Sequence, residues 1–220
     1  MTKKFSFNTI DSFDDHILKS IPNYDILFGS ILRLSDYFLD KNKIVYDIGC
    51  STGNLLRHFA KAEKYCGKMV GIDYSRNLLP ENTREFENIQ FLEYDLNQGF
   101  EFVNACLVFS IFTLQFMKRE SRQNIIDSIY KGLPEGGAFI IAEKVYHDYG
   151  QYQDMFTFSY YDYKKMSFSN EEILSKEKDL RTILKPNTAK ENLAMLRRAG
   201  FQKIAMFYKF FHFEAYVCIK

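Results

Sequence analysis

The chain has 220 residues, 46% of them apolar and 17% aromatic, which is enough to bury the core of one α/β domain and too apolar for a disordered chain. Its formal net charge of +1 gives no global attraction to nucleic acid or to an anionic membrane. The scattered cysteines Cys50, Cys66, Cys106 and Cys218 contain no Cys-x-x-Cys pair and the histidines no His-x-x-x-His, which argues against a disulfide frame or a zinc site and for free thiols in a reducing cytoplasm.

Residues 1–9 are polar and expected to fray. A helical pattern begins at Ser12-Phe13-Asp14-Asp15, with Ser12 or Asp14 as its cap and Ile17 and Leu18 on one side. Ile21-Pro22-Asn23-Tyr24 breaks it. Leu27, Ile31, Leu34 and Phe38 then predict a second helix over about 24–39. Tyr24 sits where the two helices meet and is a candidate ligand contact, although a Tyr at a helix start more commonly packs.

Ile44-Val45-Tyr46-Asp47-Ile48-Gly49-Cys50-Ser51-Thr52-Gly53 is the stretch that carries most information. An apolar run ends in an acid, a glycine-bearing turn follows, and a helix is predicted from about Asn54 to Glu63. Gly49 permits the turn and a close approach of backbone to ligand, and Gly53 lets the helix approach the strand. The spacing is neither the dinucleotide fingerprint nor a phosphate loop. It matches the first motif of class I S-adenosylmethionine (SAM) methyltransferases. In that motif the acid meets the ligand's ammonium group, directly or through water, and loop N–H groups meet its carboxylate. The alternative is an ordinary strand-to-helix turn of another α/β protein.

A second strand is predicted over Lys68–Asp73. Asp73, about 20 residues past the glycine loop, is placed to accept from both ribose hydroxyls, or else to cap the next helix through Ser75. That helix is limited by Pro80 and should end near Phe86. The third strand, 89–94, leads into Asp95-Leu96, beside the adenine in such a fold. The fourth, 105–110, is apolar throughout, as a central parallel strand should be, and residues 111–116 follow at its ligand-binding end. A helix over 119–133, a Pro134-Glu135-Gly136-Gly137 turn and a strand over 138–143 complete a regular alternation.

Residues 146–185 interrupt it with a helical insertion. Tyr146, Tyr149, Tyr152, Phe156, Tyr160 and Tyr163 lie at helical spacing and are either core or the inner face of a lid over the acceptor pocket. Ser175–Asp179 has the mixed charge of a solvated helix face. A helix over 188–199 stops at Gly200, and strands over 202–209 and 211–219 form a closing hairpin. The expected fold is α/β: a doubly wound, Rossmann-like class I SAM-methyltransferase fold with a seven-stranded, mostly parallel sheet, a C-terminal antiparallel hairpin and a helical lid insertion. It forms one domain over 1–220, with its N-terminal helices within 1–40. No signal peptide or run of about 18 apolar residues occurs, so a soluble cytoplasmic protein with no membrane partner is expected.

Several stretches carry a closer resemblance: Phe5-Ser-Phe-Asn8, Lys19-Ser-Ile-Pro-Asn-Tyr24, Tyr46-Asp-Ile-Gly-Cys-Ser51, Gly71-Ile-Asp73, Phe112-Thr-Leu-Gln-Phe116, Gly136-Gly137 with Glu143-Lys144, and Ala199-Gly-Phe201. Along nearly its whole length the chain resembles the carboxy-SAM synthases, which make carboxy-SAM from SAM and prephenate for oxyacetyl modification of wobble uridine in tRNA. The resemblance implies a SAM site lined by Tyr24, Gly49, Cys50, Ser51, Asp73, Tyr74, Asp95 and Leu96, and a homodimer. Two positions depart from the family. Ile111, beside Ser110, stands where the family has an Asn near the ligand's amino-acid end. Glu177 stands where the family has the Arg that grips the ligand's added carboxylate.

Asp47, Gly53, Ser110 and Ile111 complete the expected cofactor site, with SAM as cofactor and carboxy-SAM as the alternative. Read alone, Glu177 reverses the charge of the grip and points away from carboxy-SAM production, unless Lys178 or Arg181 replaces it. The expected activity is therefore methyl transfer to a small molecule or modified nucleoside, without direct nucleic-acid binding. The alternatives are carboxy-SAM synthesis from prephenate and a non-catalytic SAM-binding module. Asp/Asn-Pro-Pro-Tyr and Pro-Cys are absent, which excludes the usual exocyclic-amine and pyrimidine carbon-5 chemistries. No general base stands out; His147, Glu143 and the lid tyrosines are the candidates.

Overall fold

Strands β1 (Ile44–Ile48) and β4 (Ala105–Ile111) are apolar on both faces because helices cover both sides of the sheet they centre. A computed structural model describes residues 13–62, 65, 67–80 and 86–220. Phe5-Ser-Phe-Asn8, the Ser12 cap, the Cys66 thiol and most of the helix expected between Pro80 and Phe86 lie outside the described residues.

Seven strands form one sheet in the order β3-β2-β1-β4-β5-β7-β6. Strands β2 (Lys68–Asp73), β3 (Ile89–Glu93) and β5 (Ala138–Lys144) run parallel to β1 and β4. β7 (Phe213–Ile219) runs antiparallel between β5 and β6 (Lys203–Phe210). The order reverses between β1 and β4, and the crevice at their carboxyl ends is where such sheets take ligands. On one face, α2 (Tyr24–Ser35) and α3 (Asn54–Lys61) bury Leu27, Ile31, Leu56 and Phe59. On the other, α4 (Arg119–Gly132) and α7 (Ala189–Ala199) bury Ile125, Ile126, Ile129 and Leu196.

Sequence and structure agree on β2 residue for residue, but α2 ends at Ser35 rather than Leu39. The Phe38 N–H turns back to the Ser35 carbonyl at 2.9 Å, and Phe38 and Leu39 reach the core from that turn instead of from a helix. Helix α1 (Phe13–Ser20) crosses above the glycine loop, where Thr52 Oγ1 donates to Asp14 at 3.0 Å.

The insertion forms α5 (Gly150–Lys164) and α6 (Asn170–Ile183). Ser169 and Glu172 make a capping box that starts α6. The aromatic stripe is not one core face: Tyr160 is buried, whereas Tyr149 and Tyr152 are exposed. The foot of the insertion is fastened to the core. Buried Arg122 donates to the carbonyls of Gln115 (3.3 Å), Met117 (2.9 Å) and Lys185 (2.8 Å) and to Asn187 Oδ1 (3.0 Å). The Lys185 N–H returns to the Gln115 carbonyl at 2.9 Å.

Candidate functional site

A cavity of about 680 Å³ opens at the carboxyl ends of the parallel strands, walled by α1 and α2 on one side and by α5 and α6 on the other. Its size suits a cofactor together with part of a second substrate. Tyr24, Asp47, Gly49, Cys50, Ser51, Asp73, Tyr74, Asp95, Leu96 and Ile111 all line it. Two expected positions do not. Ser110 is fully buried in β4, its hydroxyl without a hydrogen-bond partner among the described residues, and is not part of the cavity lining. Gly53 packs against Phe91, whose Cζ would lie 2.5 Å from a Cβ there, so it serves the approach of helix and sheet.

The glycine loop is fastened to the end of β2. The Gly49 and Cys50 N–H groups both donate to the Ile72 carbonyl (2.7 and 3.1 Å), Gly53 N–H to the Cys50 carbonyl (2.8 Å), and Ser51 N–H to Asp73 Oδ2 (3.0 Å). These four donors are therefore occupied, three of them by β2, which leaves the Thr52 and Asn54 N–H groups of the cavity lining for a ligand carboxylate. Gly49 and Ser51 both adopt positive φ, 70° and 49°.

Asp73 combines its two sequence readings. Oδ1 accepts from Ser75 N–H at 2.9 Å and Oδ2 from Ser51 N–H, which orients the carboxylate into the cavity with acceptor capacity left on each oxygen. Asp95 caps the short 3-10 turn Leu96–Gln98 by accepting from Asn97.

Burial, reinforced by Asp73, pushes the Asp47 carboxyl up to about 8. An incoming ammonium relieves that penalty, so the acid fits the positive end of SAM. Between the ordinary carboxylate value and about 8 the folded, ligand-free chain holds a proton that the unfolded chain lacks, so Asp47 makes stability fall as pH rises through that window. Ligand binding works in the opposite direction. At pH 7, SAM binding is expected to release about one proton, and affinity is expected to weaken as pH drops from 7 toward 5.5. Calorimetry in buffers of different ionisation enthalpy checks this, and Asp47→Asn should abolish the release.

The far wall carries residues the sequence did not single out. Lys144, Lys164 and Lys176 line the cavity together with Tyr160. Burial lowers all three lysines, Lys144 and Lys176 to about 8, while Glu177 opposes the shift in each. Glu177 is buried and forms ion pairs with Lys164 (3.6 Å) and Lys144 (3.9 Å). Glu177 therefore does not stand as a lone negative charge at this wall, because two lysines pair with it. The expected substitutes lie elsewhere: Lys178 is exposed, and Arg181 reaches the Tyr146 hydroxyl at 3.4 Å, outside the cavity lining. The sequence signal for Lys164 was a lysine one turn after Tyr160 inside an aromatic run.

Of the candidate bases, Glu143 and His147 do not line this cavity, and the Tyr160 hydroxyl is engaged elsewhere. Glu143 is buried and accepts from the Leu114 and Gln115 N–H groups, both at 2.9 Å, so it braces the loop after β4. His147 packs against Phe156 and His212. Tyr160 lines the cavity, but its hydroxyl donates to the Ser20 carbonyl at 2.8 Å.

This order of strands, with an acid-tipped β1, a glycine turn and a second acid ending β2, defines a SAM-dependent transferase of the class I methyltransferase fold. Residues 45–137 match the methyltransferase-domain family. The fold is shared with human N-acetylserotonin methyltransferase in complex with SAM (16% identity, TM-score 0.60, covering 93% of this chain and 54% of that one). It is also shared with a chain of the complex between the Haloferax volcanii Trm112 methyltransferase activator and a methyltransferase (14% identity, TM-score 0.65, 97% and 95% covered). Curated relatives are closer. The chain is 36% identical to the carboxy-S-adenosyl-L-methionine synthase of Staphylococcus epidermidis, covering 98% of this chain and 95% of that protein. It is 34% identical to that of Methylococcus capsulatus, covering 94% and 89%. The chain belongs to the carboxy-S-adenosyl-L-methionine synthase family.

Proposed function

We propose that the protein is a carboxy-SAM synthase that takes SAM and the small dicarboxylate prephenate. The observation that carries this reading is the lysine-lined wall opposite Asp47 and Asp73, which leaves one cavity acidic at its cofactor end and cationic at its far end. The relatives named carboxy-SAM synthases support the same choice. SAM supplies an activated carbon on its sulfonium. The chain's own residues orient the ligand between Asp47 and Asp73, and α5 and α6 screen the reacting end from water.

Methyl transfer to a small molecule is the second reading, favoured by Ile111, which gives the cavity an apolar side chain where an amide was expected. The test is incubation with SAM and prephenate, read by mass spectrometry. A product heavier by one carboxylate is expected, and unaltered SAM would overturn the synthase reading.

The product would serve oxyacetyl modification of tRNA wobble uridine in the cytoplasm, without the chain itself contacting nucleic acid. The described residues contain no helix long and apolar enough to cross a membrane. A second copy of the chain is the proposed macromolecular partner, and the exposed Tyr152, Met155 and Phe158 on α5 offer it an apolar surface.

A further inference from the structure

Glu177 lies behind the cavity wall, and its two lysine partners lie in it. Glu177 Oε1 stands 3.6 Å from Lys164 Nζ and 3.9 Å from Lys144 Nζ, beyond hydrogen-bond range of both. This buried oxygen accepts no hydrogen bond among the described residues. Both ammonium groups lie 5.0 Å from the centroid of the Tyr160 ring. Lys144 and Lys164 line the cavity, and Glu177 does not.

The triad therefore holds two cations and one anion in a loose arrangement. Each ammonium carries three donors, and the buried Glu177 oxygen left without a close donor costs free energy. A carboxylate arriving from the cavity side can meet both ammonium groups at direct distance, and it leaves the group of charges neutral. Glu177 then loses part of its hold on the lysines, because the same ammonium groups serve two carboxylates.

We propose that Lys144 and Lys164 form the seat for a carboxylate of the second substrate, and that Glu177 is the resident carboxylate that competes for it. The seat is built from ammonium groups on two different elements, the end of β5 and the last turn of α5. Its affinity for a ligand is set by how strongly α6 holds Glu177 against it. Lys176, which contacts His16 and Ser20 of α1, extends the cationic wall toward the N-terminal helices. The inference rests on the synthase reading only in taking prephenate as the ligand.

The test uses the full chain saturated with S-adenosylhomocysteine, so that no turnover occurs, and titrates prephenate by calorimetry. Glu177→Gln is expected to bind prephenate at least about ten-fold more tightly than the parent. Lys164→Met, which leaves Lys144 and Glu177 as a neutral pair, is expected to bind it at least about ten-fold more weakly. Affinity for S-adenosylhomocysteine should change in neither. A folded Glu177→Gln without tighter binding, or a Lys164→Met with unchanged binding, overturns the seat. If Glu177→Gln does not fold, Lys164→Met decides alone. Lysine-dependent prephenate binding by a protein that makes no carboxy-SAM would sink the synthase reading and keep the seat. Carboxy-SAM production with an unchanged KM for prephenate in Lys164→Met would do the reverse.

Discussion

Replacing Gly49 by Val is expected to cost at least about 100-fold in SAM affinity and about 2–6 kcal/mol in stability, the sum of backbone strain and overpacking. Gly49 sits at φ 70°, a region that a β-branched residue adopts only under strain. An added Cβ would overlap Thr113, whose own Cβ would be 2.8 Å away. Thr113 has little freedom to yield, because its hydroxyl donates to the Ile48 carbonyl at 2.9 Å. The substitution therefore pushes the end of β1 and the loop after β4 apart, and both line the cavity. Gly53→Ala is the comparison: it also carries φ 70° and meets Phe91, so it should lose stability, yet outside the cavity lining it should largely keep SAM affinity once folded. Urea denaturation and calorimetry on the two variants check the pair. Equal losses of SAM affinity would contradict the distinction between them.

Glu177→Arg should not simply rebuild the guanidinium grip of the family. It would put a third cation at a buried position whose present carboxylate lies 3.9 Å from Lys144 and 3.6 Å from Lys164, and next in sequence to Lys176. Removing one partner of a buried ion pair costs about 3–5 kcal/mol, and reversing its charge adds repulsion. The expected result is a fall of at least about 3 kcal/mol in unfolding free energy, read from urea denaturation. An Arg variant as stable as the parent would mean that Glu177 does not sit between these lysines.

The glycine turn and the acids that end β1 and β2 were legible in the sequence because their information is local. A run of apolar residues, an acid and two glycines at fixed spacing specify a strand, its end and its turn without reference to anything distant. Strand β4 was legible as a strand for the same reason, but its side-chain directions were not. A strand buried on both faces has no polar alternation to mark which residues face the ligand, so Ser110 and Ile111 read alike, although Ile111 alone lines the cavity. The lysine wall was hidden for a different reason. Lys144, Lys164 and Glu177 belong to three elements, and only the packing of α5 and α6 onto the end of β5 shows that they pair. Charge at position 177, taken alone, left out the two lysines that pair with it. The partners of the loop N–H groups were hidden similarly, since the bonds from Gly49 and Cys50 to Ile72 depend on the neighbouring strand.

Arg122 fixes the foot of the insertion through Lys185 and Asn187. The other end is held as well: Val145 N–H donates to the His212 carbonyl at 2.7 Å and Tyr146 N–H to the Asn187 carbonyl at 2.9 Å. Between the two ends the Tyr160 hydroxyl reaches the Ser20 carbonyl at 2.8 Å, so the insertion is stapled to the N-terminal helices too. None of these staples uses Lys144 or Lys164, so the charge of the far wall and its attachment are built from different residues and can be altered separately.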